Sequence, residues 1–150
     1  MCLTDSTDLH GIFICDNPCD LGKIKMDLND LTYKIRGAIF KVHSSLGPGL
    51  LESVYEVALA YELMQLGLKV ASQVGLPVNY NNIKLELGFR IDIIVEDSVI
   101  IEVKSIEALH DVHKKQMLTY LKLSGKKIGL LVNFNVSSLK DKESLIRIIN

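Results

Sequence analysis

Apolar positions along the chain divide it into recognisable elements. From Met26 onward, Leu31, Ile35, Ala38, Ile39 and Val42 recur at helical spacing behind Asn29 or Asp30 as a cap. Gly47-Pro48-Gly49 should end that helix near Leu46. Leu51, Val54, Tyr55, Ala58, Leu59 and Leu63 predict a second helix from about Leu50 to Leu66, stopped by Gly67. From Lys69 to Ile106 the pattern changes to strands. Val74–Tyr80 and Ile83–Leu87 flank an Asn81-Asn82 turn, and Arg90–Val95 and Val99–Ser105 flank Glu96-Asp97-Ser98. A third helix is predicted from about His110 to Ser124, ending at Gly125. Lys127–Phe134 reads as a buried strand, and Leu145–Ile149 as a short terminal strand or helix. The predicted order is α-α-β-β-β-β-α-β, an α/β (α+β) arrangement without internal repeat or low-complexity segment.

Residues 1–25 lack this regularity. They hold all three cysteines, Cys2, Cys15 and Cys19, and a turn-rich Cys15-Asp16-Asn17-Pro18-Cys19-Asp20 stretch. They are expected to form an irregular N-terminal appendage, an upstream extension of a start at Met26, and residues 26–150 a single domain. An odd cysteine count without a second pair argues against a disulfide framework or a zinc site, and for a reducing cytoplasmic setting. Apolar runs such as Ile91–Val95 and Ile128–Val132 are far short of the ~20 residues of a membrane-spanning helix, so no membrane partner is expected. With 17 Lys and Arg against 18 Asp and Glu, the net charge of −1 excludes a polybasic surface spread over the whole molecule.

The chemistry concentrates in Gly88-Phe89-Arg90-Ile91-Asp92 and Ile101-Glu102-Val103-Lys104. Strand side chains alternate, so Glu102 and Lys104 share a face. A three-residue Glu96-Asp97-Ser98 loop pairs Val95 with Val99, and counting back sets Asp92 opposite Glu102 on that same face; a two-residue loop without a bulge would separate them. Charge among so many isoleucines and valines requires compensation, by a metal ion or by mutual pairing. Two carboxylates and an ammonium on one face suit a hard cation such as Mg²⁺, with Mn²⁺ as a substitute. They equally suit a structural acid–lysine pair on a half-exposed sheet, and the spacing alone does not choose.

Asp92…Glu102-Val103-Lys104 on a hairpin between helices resembles the PD-(D/E)xK nuclease superfamily. Gly49-Leu50-Leu51-Glu52-Ser53-Val54-Tyr55 reads G-x-x-E-x-x-Y, the pattern of the GxxExxY protein family within it. Leu46–Glu52 and Gly88–Asp92 are also typical, and the resemblance covers about residues 28–150. It implies a restriction-endonuclease-like core, a mixed β-sheet flanked by helices. It further implies Asp92 and Glu102 as metal ligands, the Val103 carbonyl as an additional ligand, and Glu52 as a helical acid reaching the metal directly or through water. Lys104 matches the catalytic lysine, and Gln116 and Tyr120 match a Q-x-x-x-Y element following the lysine strand.

Spacing supports some of this. Gln116 and Tyr120 are i,i+4 on the third helix, with His113 a turn earlier, so all three project from one side. They could touch phosphate or orient Lys104, or pack that helix on the sheet. Tyr55, three residues after Glu52, is open between supporting the Glu52 carboxylate and fixing helix against sheet as a core aromatic. Gly49 frees the backbone at the helix entrance. His43 is expected to be an ordinary surface or boundary residue.

Local charge modifies the neutral total. Lys104 to Lys127 carries six lysines against Glu107 and Asp111, a net +4, whereas Glu86 to Glu102 carries five acids against Arg90, a net −4. An acidic pocket beside a basic rim suits a nuclease. At 6% aromatic content, with the rings scattered, no stacking platform for single strands stands out. The expected function is therefore Mg²⁺-dependent hydrolysis of nucleic-acid phosphodiesters, on DNA or RNA. The alternatives are a non-catalytic nucleic-acid-binding or protein-interaction module on the same fold, and a structural subunit of a larger assembly. Cutting both strands of a duplex together would require a homodimer.

Overall fold

The computed structural model describes residues 26–150; the predicted appendage and its cysteines lie outside the described residues. Helix α1 (Leu28–Leu46) is capped by Asp27, whose carboxylate accepts the Asn29 N–H at 3.0 Å, not by Asn29 or Asp30 as expected. Helix α2 (Glu52–Gln65) follows the Gly47–Leu51 turn. Three strands come next, β1 (Val70–Tyr80), β2 (Ile83–Val95) and β3 (Val99–Lys104), then α3 (Asp111–Ser124), β4 (Ile128–Asn133) and β5 (Leu145–Ile149). The sheet order is β1-β2-β3-β4-β5, with β3 and β4 parallel and the other pairs antiparallel. This mixed sheet between helices is the α/β, restriction-endonuclease-like architecture expected.

The order of elements needs correction. Ile83–Leu87 and Arg90–Val95 are not two strands but one, so the order is α-α-β-β-β-α-β-β. Gly88 and Phe89 fall between the two expected strands. A Cβ at Gly88 would stand 1.9 Å from the Leu76 carbonyl oxygen, so glycine marks a close approach of two backbones and not a chain interruption. The ladder shifts register between Leu76 and Val78 at that level. The Asn81-Asn82 turn forms as predicted, with φ of 47° and 62° and Tyr80 paired to Ile83.

The sheet separates two cores. Helices α1 and α2 cover Ile93, Val95, Val99, Ile101 and Val103, together with Ile128, Leu130 and Val132. Helix α3 covers the opposite side, where Met117, Tyr120 and Leu121 pack on Ile91, Ile94, Ile100 and Leu131. Full burial on both faces explains why β3 and β4 read as nearly unbroken apolar runs. Val70 and Val74 have the same parity, as do Ile93 and Ile91. Yet Val70 and Ile93 pack with α1 and α2, while Val74 and Ile91 pack with α3. The β1–β2 ribbon therefore changes face between the Ser72–Ile93 and Val74–Ile91 pairs, where Gln73 adopts a φ of 55°. Asp92 lies at that turn-over. No described helix is long and apolar enough to cross a membrane.

Candidate active site

The β2–β3 hairpin forms in the register that the three-residue loop requires. Val95 pairs with Val99, Ile94 with Ile100 and Ile93 with Ile101, which carries Asp92 to the level of Glu102. The ladder ends there. In place of a further backbone pair, the Asp92 carboxylate accepts the Val103 N–H at 2.9 Å. The N–H and C=O of one strand residue project to the same side, so the Val103 carbonyl also opens toward Asp92. Its side chain, in contrast, is buried under α1 and α2.

Glu102 is 4% exposed, and its Oε1 accepts from Lys104 Nζ at 3.1 Å. Its other oxygen, Oε2, is buried with no hydrogen-bond partner among the described residues. Burial, and then the neighbouring Asp92 charge, push its carboxyl up to about 7 against the pull of Lys104. Burial also raises Asp92, opposed by the Val103 N–H and by Lys104. A buried carboxylate with one unpaired oxygen costs free energy that no hydrogen bond among the described residues recovers. A hard cation is the compensator whose chemistry fits.

Helix α2 brings in a second group of acids. Glu52, in its first turn, accepts the Ser105 N–H at 3.1 Å, immediately after Lys104. Ser105 Oγ donates to the Leu50 carbonyl at 2.6 Å. Tyr55 does not support the Glu52 carboxylate. It is fully buried, its ring is stacked 4.5 Å from Phe134, and its hydroxyl donates to the Gly47 carbonyl and accepts the Leu50 N–H. The Phe134 N–H in turn donates to the Lys104 carbonyl at 2.9 Å. The glycines, Glu52 and Tyr55 thus fasten the start of α2 to the carboxyl end of β3, with Gly49 at a φ of 97° that favours glycine.

Two participants escaped the sequence. Glu56, one turn beyond Glu52, accepts both contacts of the Gln73 amide, at 2.7 and 2.8 Å. Its carboxyl is raised by burial first, opposed by the Gln73 hydrogen bond, with further contributions from Asp92 and Glu52. The Glu52–Glu56 spacing of i,i+4 was a usable signal for the acid. Nothing in the sequence marks Gln73, which arrives through its left-handed backbone. Asp92 and Glu52 therefore lie in electrostatic reach of both Glu56 and Glu102, with Lys104 beside Asp92 and Glu102.

From the other side, α3 contributes Gln116 and Tyr120, joined by a 2.8 Å hydrogen bond from the Gln116 amide to the Tyr120 hydroxyl. Burial, then Glu102 and Asp92, push the Tyr120 hydroxyl up to about 12, so it faces the acids as a neutral donor. His113 does not join them. Its Nδ1 accepts the His110 N–H at 2.9 Å and caps α3. His43, expected near the surface, is buried, with Nε2 2.7 Å from the Val136 carbonyl. Among the described residues, no three His, Cys, Asp or Glu side chains are gathered as a ready metal cluster. Asp92 and Glu52 each turn one carboxylate oxygen to a backbone amide, and Glu102 turns one to Lys104.

A family model described as the PD-(D/E)XK nuclease superfamily matches residues 29–148. The chain belongs to that superfamily. No curated protein and no solved structure matches it. PD-(D/E)XK nucleases act on nucleic acid and generally use divalent metals. The matched span excludes the whole N-terminal segment 1–25 and includes every site residue discussed above. Glu102 and Lys104 stand at the carboxyl end of β3, which runs parallel to β4, and Asp92 stands beside them on the antiparallel β2.

Proposed function

We propose that the protein is a metal-dependent nuclease of the GxxExxY type, with Mg²⁺ as its cation and Mn²⁺ as a substitute. The observation that carries this reading is the buried, unpartnered Oε2 of Glu102 beside Asp92. A structural acid–lysine pair would satisfy Lys104 and Glu102 but leaves that oxygen unexplained.

When bound, a divalent cation would acidify a water and offset the charge of the scissile phosphate. Asp92, Glu102 and the Val103 carbonyl would hold it, with Glu52 assisting directly or through water. Lys104, its Nζ already at the edge of the acids, orients the attacking water and balances negative charge growing on the phosphate. Gln116 positions the Tyr120 hydroxyl, which donates to a non-bridging phosphate oxygen or to the acids themselves. Lys114 and Lys115, exposed near the start of α3, would supply a basic rim for nucleic acid, whereas Lys126 pairs with Asp97 at the far end of the sheet.

Single- and double-stranded DNA and RNA, incubated with Mg²⁺ or Mn²⁺ and with chelator, test the activity. Cleavage of at least one form that stops on chelation is expected. Intact substrates in every combination would overturn the nuclease reading in favour of a binding module.

A further inference from the structure

Strand β2 is much longer than its partner β3. Their pairing covers only Ile93–Val95, so among the described residues the outer edge of β2 from Ile83 to Ile91 meets no other strand. This half of β2 and its β1 partner form a two-stranded arm rooted at Asp92. An arm of two strands is marginal by itself, and an open edge invites a further strand.

The arm also carries an apolar face that the other described residues leave largely uncovered. Near its root, Val74, Leu76 and Ile91 pack against α3, and Phe89 lies 5.5 Å from the Tyr120 ring. Farther out the same face continues through the Val78–Leu85 and Tyr80–Ile83 pairs, with Tyr80 64% exposed, Ile83 60% and Leu85 43%. By strand alternation Lys84 and Glu86, both exposed, project opposite to Leu85, Glu86 being the first residue of the stretch where the ladder shifts register.

We propose that two copies of this chain pair antiparallel through the outer edges of β2, with Leu85 on the two-fold axis. Charge selects a second copy over another partner. In an antiparallel pair centred on Leu85, Lys84 falls opposite Glu86 of the second copy, and the symmetric contact repeats it. The segment Lys84-Leu85-Glu86 is thus complementary to itself, while Leu85 meets Leu85 on the apolar face. The joined ribbon has four strands, with one candidate site at the root of each arm. The inference does not rest on turnover, and a chain without nuclease activity could pair in the same way.

Sedimentation of the full chain over a range of concentrations, with circular dichroism to confirm folding, tests the pairing. Wild type is expected to be a dimer that dissociates on dilution. Lys84→Glu and Glu86→Lys each create two like-charge pairs and should raise the dissociation constant about tenfold. The combined K84E/E86K chain restores opposite charges and should return to within about threefold of wild type. A chain that is monomeric at every concentration would overturn the proposal, as would single reversals without effect or a double variant without recovery. A monomer whose oligonucleotide binding weakens on Lys84→Glu would instead make the arm a nucleic-acid contact.

Discussion

Lys104→Ala is expected to lower phosphodiester cleavage by about 10²–10³-fold while leaving Mn²⁺ affinity equal to or tighter than that of wild type. The two halves of this expectation have separate origins. Among the described residues Lys104 is the cation placed against Asp92 and Glu102, at 3.1 Å from Glu102, and its side chain is 16% exposed. Its charge is therefore little screened where negative charge builds on phosphate. The same ammonium opposes a divalent cation electrostatically, so removing it favours metal binding even as catalysis fails. Steady-state cleavage rates and a Mn²⁺ titration on the same preparation separate these effects. Equal rates in both proteins would remove Lys104 from catalysis, and lost metal affinity would make its role structural.

The second large effect concerns stability in the absence of metal. The Glu102 carboxyl stands near 7 in the folded chain, against 4.5 in the ordinary case. The folded state therefore binds the proton more tightly than the unfolded state. The associated stabilisation is complete below about pH 4.5 and is lost as pH rises to about 7. Across that window metal-free wild type should lose on the order of 3 kcal/mol from this group. Glu102→Gln keeps the shape, removes the titration and should abolish most of that slope. Denaturant unfolding at several pH values in chelator checks the sign directly. Mn²⁺ at pH 7.5 should raise the stability of wild type and leave the variant nearly unchanged.

The site's central geometry was legible because it depends on parity. A three-residue loop at Glu96-Asp97-Ser98 fixes which residues face each other, and Asp92 reaches the level of Glu102 through that arithmetic alone. The helices were legible by period and by their glycine stops, Gly125 taking the left-handed conformation that ends α3. What stayed hidden is tertiary. Gly88 has the same appearance in a sequence whether it breaks a strand or lets one pass close to Leu76. The ribbon's change of face depends on a left-handed Gln73, a conformation that its residue type does not announce. Tyr55 could be placed near Glu52 by spacing, but its engagement with Gly47, Leu50 and Phe134 depends on chain segments far apart in sequence.

The account stands most directly on whether Asp92 and Glu102 hold a divalent cation. Calorimetric titration of Mn²⁺ into wild type and into Asp92→Asn measures it without reference to any nucleic acid. Asp92→Asn retains an acceptor for the Val103 N–H, so the hairpin should persist while the charge is lost. Saturable binding to wild type, weakened at least about tenfold in the variant, is the predicted result. Equal affinity in the two proteins, or no saturable binding to wild type, would contradict it.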